Sequence, residues 1–294
     1  MSEPIAGPFW AGRNWSADAG AGSIHDDATA ARLGFRGGTV AGDVHMNQFP
    51  PVLLKLFGDD WFRTGNLSLV FKNATVDRER VQVVAEPLAA GDNQTRVQTR
   101  VQTRVQTRVW MERDDGLLVC SGTAALGDHS RSELRARDLR PCDPADLRIL
   151  RAVSEGQSLG RYQLAMTPDK QFERYDAGLI SDPLDAYRRD VGWGGVVAAP
   201  CTFVQYLWGP PTQALRPHIG SAVGLFGAIE IGHVDGPLLL DRDYLVESSV
   251  VCVGQSPQTE YLWFDTTASR PDGALVATFR MMLRFMKASS PEYQ

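Results

Sequence analysis

The order of elements along the chain repeats once, and this repeat constrains the fold more than any other feature of the sequence. A loop, a short helix, a glycine pair, an apolar helix and a series of strands occur twice within 294 residues. The letters also repeat at the glycine pairs, GFRGGTVA at 34–41 and GWGGVVA at 192–198. Strands that follow one another without intervening helices favour an antiparallel α+β fold. We therefore predict two similar units, residues 1–127 and 161–294, joined by a polar crossover linker at 128–160.

The two apolar helices are expected near residues 42–57 and 197–208, each wrapped by its own sheet. Pro50-Pro51 should bend or break the first helix, because proline removes an intrahelical donor and clashes with the preceding turn. The strand candidates lie at 67–71, 81–84, 95–111, 117–126, 222–231, 244–253, 260–268 and 275–286. One buried helix wrapped by an antiparallel sheet, present twice, is the double-hotdog arrangement. We expect the two sheets to join edge to edge, which removes exposed sheet edges.

The tetrad Val-Gln-Thr-Arg occurs three times in succession, starting at Val97, Val101 and Val105. A period of four is a multiple of the strand period, so the Val and Thr side chains should lie on one face and the Gln and Arg side chains on the other. We interpret the tract as an extension of a strand, without a role in recognition.

Composition excludes several classes of function. The net charge of -5 and the absence of a basic stripe argue against nucleic-acid binding. No apolar run reaches the ~18 residues that a membrane span needs, and the first residues do not resemble a signal peptide, so we expect a cytoplasmic protein that does not enter the membrane. The four scattered cysteines are expected to be reduced. The sequence contains no glycine-rich phosphate loop and no His-x-x-x-His pair, and we therefore expect neither a cofactor nor a metal.

Residues 23–38, SIHDDATAARLGFRGG, carry the clearest chemical signal. They resemble the signature region of MaoC-like proteins and (R)-specific enoyl-CoA hydratases, in which a His precedes an acidic, alanine-bearing helix that ends in Gly-Phe. The resemblance implies addition or removal of water at a double bond beside a thioester carbonyl. It places His25 at the proton-transfer position. It also places the backbone N–H groups near Gly42 beside the carbonyl oxygen, which they would stabilise as charge develops.

The acidic partner of His25 departs from that pattern. The position of the family's Asp falls on Gly20, and the nearest upstream acid is Asp18, in a glycine-rich loop. In the second unit, residues 175–183 resemble the start of a related dehydratase motif, and Asp182 matches its acid, although no His follows. The site is therefore predicted to use Asp18 within one unit or Asp182 across the two units. Asp182 as a helix cap beside Pro183 is the structural alternative.

Other polar residues near His25 have less specific predictions. Asp26 and Asp27 are expected to cap the helix that follows them. Gly42, Asp43 and His45, at the start of the first apolar helix, are candidates for substrate binding. Asp43 and His45 are two residues apart, so their side chains should diverge.

The preferred function is a lyase that hydrates or dehydrates a small acyl substrate, linked to CoA, to an acyl carrier protein or to neither. The alternatives are a specialised isomerase or cyclase of secondary metabolism, a catalytically silent hotdog that binds an acyl ligand or a partner, and thioester hydrolysis with Asp43. A carboxylate within hydrogen-bond reach of His25 in an open cleft would favour the enzyme. A cleft filled by Trp and Phe side chains would favour the silent protein. The oligomeric state, including a homodimer, stays open.

Overall fold

The computed structural model describes residues 3–17, 22–88, 105–180 and 184–294. Within these ranges ten strands form one antiparallel sheet. The strands are β1 (Ile5–Ala11), β2 (Gly65–Phe71), β3 (Arg80–Ala85), β4 (Val105–Arg113), β5 (Leu118–Leu126), β6 (Ser158–Ala165), β7 (Gly224–His233), β8 (Asp243–Gln255), β9 (Thr259–Ser269) and β10 (Leu275–Met286). The predicted strands that lie wholly in the described ranges are present, with ends shifted by at most two residues.

The strand order divides the sheet into two mirrored halves. The order is β1-β3-β4-β5-β2 followed by β7-β10-β9-β8-β6, so each strand of the first half has a counterpart in the second. β2 and β7 pair in the middle, from Asn66 opposite Gly232 to Val70 opposite Ala228. The predicted double hotdog with its sheets joined edge to edge is confirmed. The proposed boundaries at 127 and 161 stay a prediction, and β6 begins shortly before the second of them.

Six α-helices accompany the sheet in the described part of the chain. They are α1 (Asp27–Arg32), α2 (Gly42–Met46), α3 (Pro50–Phe57), α4 (Asp60–Thr64), α5 (Pro168–Asp176) and α6 (Pro200–Leu215). The break expected at Pro50 is present, because α2 ends at Met46 and a turn leads into α3. Among the described residues, no helix combines the length and apolar character needed to cross a membrane.

The second apolar helix differs from its predicted range of 197–208. α6 begins three residues later and continues past Gly209-Pro210-Pro211 to Leu215. Pro211 lacks the N–H that would bond the Leu207 carbonyl, and the Thr266 hydroxyl lies 3.1 Å from that carbonyl oxygen instead. The predicted end was therefore wrong, because a side chain from the sheet satisfies an acceptor that a proline leaves open.

Three elements were missed by the sequence analysis. β1 and β6 are the outermost strands of the two halves, where each has a single partner strand and needs few buried apolar side chains. α5 lies mostly in a segment that carries no apolar periodicity, and its only clear signal is Pro168 at its first turn. The helix expected at 184–191 is reduced to a 3₁₀ turn at Asp185–Tyr187.

The repeated tetrads fall mostly outside the described residues. The last of them, 105–108, opens β4, where Thr107 is buried and Arg108 is exposed on the opposite face. The predicted facing therefore holds for this tetrad. The strand assignment of the two earlier tetrads stays a prediction.

The core lies between the inner face of the sheet and the helices. In β10 the alternate residues Phe279, Met281, Leu283 and Phe285 belong to it, together with Phe203 of α6. A charged network lies on the opposite face, under the segment that follows β5. There the fully buried Glu230 accepts a 2.8 Å hydrogen bond from Arg135, which also pairs with Asp265. The crossover linker thereby covers the outer face of the junction between the two units.

His233, at the end of β7, is a buried imidazole without a polar environment. Its ring packs edge-on against Trp61 and Phe203, and Nδ1 has no hydrogen-bond partner among the described residues. Burial lowers the pKa of His233 to about 3. Between pH 6.5 and about 3 the unfolded chain therefore binds a proton that the folded chain does not.

We expect His233 to make the protein less stable as pH falls through this window, and His233→Leu to remove that contribution. The free energy of unfolding should fall less steeply with acidification in the variant, by up to about 1.4 kcal/mol per pH unit. Urea unfolding at several pH values between 7 and about 4 measures this slope. His218→Leu, at an exposed position, is the matched control. Equal slopes in the His233 variant and the native protein would contradict the prediction.

Candidate functional site

His25 lies in the loop before α1 with its imidazole half-buried at the wall of a cavity. Its Nδ1 is 2.7 Å from the Thr39 carbonyl oxygen. A carbonyl oxygen only accepts, so Nδ1 carries the proton. In the neutral ring Nε2 then has a free lone pair, and it has no hydrogen-bond partner within the described ranges. This tautomer suits a base that takes a proton from a ligand in the cavity.

The backbone at His25 packs closely against Gly38, and a larger residue at position 38 would displace it. The Asn14 amide donates to the His25 carbonyl oxygen over 2.8 Å. A Cβ on Gly38 would lie 2.2 Å from the same carbonyl oxygen. A Cβ on Gly37 would make only ordinary contacts, from 3.4 Å outward. The glycine pair therefore lets two chain segments approach closely and fixes the position of His25.

The two acidic residues after His25 bind backbone groups and do not face the imidazole. Asp26 is the N-cap of α1 and accepts a 2.8 Å hydrogen bond from the Thr29 N–H. Asp27 accepts from the Gly38 N–H over 2.7 Å. The predicted capping is confirmed for Asp26. Asp27 instead ties the first turn of α1 to the glycine pair.

The start of α2 presents backbone donors to the cavity. Ala41 is the N-cap and has no side chain that could accept from the first turn. The N–H groups of Gly42 and Asp43 form no hydrogen bond with another described residue. The Phe71 ring lies so close to Gly42 that a Cβ there would be 2.6 Å from it. Two unpaired donors at a helix N-terminus favour an oxygen that carries negative charge.

The cavity lies between the two units and has two connected parts. The larger part, of about 680 Å³, is bounded by the loop that carries His25, by α2 and α5, and by one face of α6. The smaller part, of about 150 Å³, is lined by Gly42 and Phe71 among others. His25, Ala41 and residues 224–226 of β7 line both parts. The volume suits a small organic ligand, and aromatic side chains do not fill it.

Asp43 is a buried carboxylate in the wall of this cavity. Its Oδ2 accepts a 2.7 Å hydrogen bond from Gln205 of α6. Its Oδ1 is shielded and has no partner among the described residues. Gln205, Trp208 and Thr212 follow one another on the face of α6 that lines the cavity. The second unit therefore supplies much of the wall opposite His25.

His45 diverges from Asp43, as predicted from their spacing. Its Nε2 is 2.6 Å from the Thr75 hydroxyl, and its Nδ1 is 3.4 Å from the Gln48 amide. Burial lowers the pKa of His45 to about 4, so the ring is neutral near pH 7. His45 contributes to the wall of the smaller part of the cavity, but neither ring nitrogen is free for a ligand.

The second unit contains a counterpart of this helix start. The Val40 N–H bonds the Thr75 carbonyl, and the Ala198 N–H bonds the Leu238 carbonyl in the same way, both over 2.9 Å. By this correspondence Ala41, Gly42 and Asp43 match Ala199, Pro200 and Cys201. If both helix starts had unpaired N–H groups, the fold would contain two candidate sites.

The counterpart in the second unit is closed by side chains. Gln171 of α5 is fully buried, donates to the Val197 carbonyl over 3.0 Å and accepts from the Ala199 N–H over 2.8 Å. Pro200 has no N–H to offer. The Cys201 N–H is bound by the Asn47 side chain over 2.9 Å. In the described residues only the first unit therefore has unpaired donors at this position.

The two carboxylates predicted to assist His25, Asp18 and Asp182, lie outside the described residues. None of the described carboxylates forms a hydrogen bond with the His25 ring. Two features were expected of an enzyme. The open cleft is present, but a carboxylate within hydrogen-bond reach of His25 is not found among the described residues. Asp18 and Asp182 both stay predictions.

Sequence analysis missed the contribution of α5 and α6 to the site. Gln171 and Arg174 lie on α5, for which no element was predicted, and Gln205 lies on the predicted apolar helix. Gln171 donates to Val197, 26 residues away along the chain, and Gln205 donates to Asp43, 162 residues away. A single Gln within the apolar run VQYLW at 204–208 was the only local signal.

Comparison with known proteins finds no family model and no curated protein that matches this chain. Solved structures with a similar fold do exist. One is a MaoC-like dehydratase, with a TM-score of 0.58 and 14% identity over 96% of this chain and 97% of that chain. Another is described as a MaoC domain dehydratase from Chloroflexus aurantiacus J-10-fl, with a TM-score of 0.62 and 9% identity over 97% of this chain and 95% of that chain. A third is a conserved hypothetical protein from Mycobacterium tuberculosis with a double hotdog fold, with a TM-score of 0.61 and 11% identity over 97% of each chain. At these identities the likeness establishes the fold, and the predicted resemblance to MaoC-like proteins is confirmed at that level.

The glycine pair offers a test of how His25 is held. Gly38→Ala is expected to lower the free energy of unfolding by about 1–3 kcal/mol, because the new methyl group must displace the His25 backbone. Gly37→Ala, the matched control at the adjacent position, should change it by no more than about 0.5 kcal/mol. Urea unfolding of both variants measures the difference. Equal stabilities would show that the backbone at His25 is not tightly fixed.

Proposed function

We propose that the protein is a lyase of the MaoC type that adds water to, or removes it from, an acyl thioester in the cavity of the first unit. The observation that carries this proposal is the position of two kinds of group on one cavity wall. His25 offers Nε2, which has no hydrogen-bond partner among the described residues, and the start of α2 offers the N–H groups of Gly42 and Asp43. The solved structures of similar fold that are described as dehydratases support it at the level of reaction class.

The proposed chemistry uses these groups in sequence. In hydration, a water molecule gives a proton to His25 Nε2 as its oxygen bonds to the β-carbon of the enoyl thioester. The electrons of the double bond move toward the thioester oxygen, where the N–H groups of Gly42 and Asp43 donate hydrogen bonds to the developing negative charge. The α-carbon then takes up the proton that His25 Nε2 received, which returns the imidazole to its neutral form, so that one water is added in total. Dehydration is the reverse sequence.

A second acid would hold the water and share the proton transfers, as the resemblance implies. Asp18 would make the site complete within the first unit, and Asp182 would make it composite. Asp18→Asn and Asp182→Asn distinguish these designs, because the variant that removes the true partner should lose most of the turnover while the other keeps it.

The proposal predicts that His25→Ala folds normally but lowers turnover by about 10²- to 10⁴-fold, the usual contribution of a positioned acid or base. The measurement is mass spectrometry of a panel of enoyl-CoA and 3-hydroxyacyl-CoA thioesters after incubation with the protein. Products should differ from substrates by one water, with the thioester intact. His218→Ala, at an exposed position in a 3₁₀ turn, is the control and should retain full turnover.

Two results would overturn the mechanism. Full activity of His25→Ala on the true substrate would show that the imidazole transfers no proton. Binding of thioesters without any product would identify the silent, ligand-binding alternative. A product of unchanged mass but altered chromatographic retention would assign the same proton transfers to an isomerase.

Thioester hydrolysis is the second candidate, and Asp43 is the observation that favours it. Its carboxyl group lies in the cavity wall, where Gln205 donates a hydrogen bond to Oδ2. A carboxylate there could take a proton from a water that attacks the thioester carbonyl, with release of the thiol. A thiol reagent detects this product directly. Thiol release that is lost in Asp43→Asn would favour hydrolysis over hydration.

A further inference from the structure

Arg174 is a half-buried cation that lines the larger part of the cavity. The only contact of its guanidinium with a polar side chain in the described ranges is with Cys201 Sγ, at 4.0 Å. Burial raises the pKa of that thiol, so the sulfur is uncharged near neutral pH. One guanidinium nitrogen, Nη1, thus faces a weak, neutral acceptor, and Arg174 forms no ion pair with a carboxylate among the described residues.

Most of the other described arginines that are not exposed form ion pairs with carboxylates. Three arginines with side chains less than a quarter exposed each form an ion pair with a carboxylate: Arg113 with Glu79, Arg135 with Glu230 and Arg280 with Asp265. The exposed side chains of Arg189 and Arg270 are paired as well. Arg284 of β10, half-buried on the wall of the smaller part, also forms no ion pair with a described carboxylate. The two half-buried arginines that lack an ion pair among the described residues therefore both lie on the cavity wall.

Arg174 and Asp43 both contact the helix α6. Arg174 contacts Cys201 and Asp43 contacts Gln205, and these two residues of α6 are four positions apart. Four residues of α-helix span about 6 Å along the axis. Arg174 and Asp43 do not form an ion pair with each other, although both line the same cavity. The contacts of Arg174 and Asp43 with α6 therefore lie about one helical turn apart on the wall of one cavity.

The charges around the cavity have an uneven distribution. Among the described residues that line its larger part, the formally charged side chains are Arg174, Arg216 and Asp43. Arg216 is exposed at the C-terminal end of α6, whereas Arg174 is half-buried near its N-terminal end. An anionic group bound at Arg174 would be partly shielded from water, and its hydrogen bonds would be correspondingly stronger.

We propose that Arg174 binds a carboxylate at the end of a short acyl group, so that the substrate is the monothioester of a small dicarboxylic acid. This inference rests on the proposed function for the place of the thioester, but the binding of a carboxylate to Arg174 does not depend on turnover. The guanidinium would receive the carboxylate through two parallel N–H···O hydrogen bonds. An acyl group that ends in a methyl would leave the cation unpaired and bind more weakly.

The binding part is tested with free acids on the intact protein. Glutarate and succinate should raise the thermal unfolding midpoint, and valerate and butyrate at equal ionic strength should raise it less or not at all. Arg174→Gln should remove the difference between the two pairs of acids, and Arg174→Lys, which keeps the charge but not the paired donors, should restore it only in part. Arg216→Gln removes the same charge at the other end of the cavity and should keep the difference.

The substrate part is tested by kinetics on matched enoyl-CoA thioesters that end in a carboxylate or in a methyl. The native protein should prefer the carboxylate by about 10- to 100-fold in kcat/KM, and Arg174→Gln should lose this preference through KM. Turnover of the methyl-ended thioester should change little in the variant.

The outcomes separate the two proposals. Binding of dicarboxylates at Arg174 without turnover of any thioester would overturn the proposed function and retain this inference. Turnover with no preference for the carboxylate, or a preference that survives in Arg174→Gln, would overturn this inference and retain the proposed function. A preference lost in Arg216→Gln but kept in Arg174→Gln would overturn the assignment to Arg174.

Discussion

The pairing of β2 with β7 is the interaction on which the rest of the structure depends. Five residues of each strand join two five-stranded halves into one sheet, so that neither inner edge is left unpaired. The pairing also fixes the distance between the helices that the two halves wrap. α2 of the first unit and α6 of the second therefore lie side by side, and the candidate site forms between them.

Side-chain contacts between these helices set the shape of the site. The buried Asn47 donates to the Leu179 carbonyl over 3.0 Å and accepts from the Cys201 N–H, which links α2 to two segments of the second unit. Gln205 reaches back to Asp43. Each of these bonds satisfies a group that would otherwise be buried and unpaired, at a cost of about 1–3 kcal/mol. The cavity is consequently enclosed by groups that also hold the two units together.

The sequence predicted those parts of the structure that local patterns encode. Alternating apolar residues identified the central strands, and Pro50-Pro51 identified the break between α2 and α3. A contiguous motif also singled out His25 and the helix start at Gly42, and both line the cavity, while their roles stay a prediction. Gln205, Arg174 and Gln171 could not be found in this way, since each makes its contacts with residues distant along the chain. Those of Gln205 cross the two halves, and those of the other two lie within the second half. The end of α6 was missed for the same reason, because Thr266 of β9 lies beside the carbonyl that Pro211 leaves unpaired.

The duplication of the fold does not produce two equivalent sites, and hydrogen bonding explains why. Backbone N–H groups at a buried helix start must be satisfied by the protein, by water or by a ligand. In the second unit Gln171 and Asn47 satisfy them and Pro200 removes one altogether, so no oxygen of a substrate is needed there. In the first unit the donors of Gly42 and Asp43 face a cavity, where water or a substrate oxygen completes them.

Because its own helix start is closed, the second unit can use the exposed face of α6 as the opposite wall. Under the proposed function the repeat divides one task between its halves. The groups proposed to react lie in the first half, and Arg174, proposed to select the ligand, lies in the second.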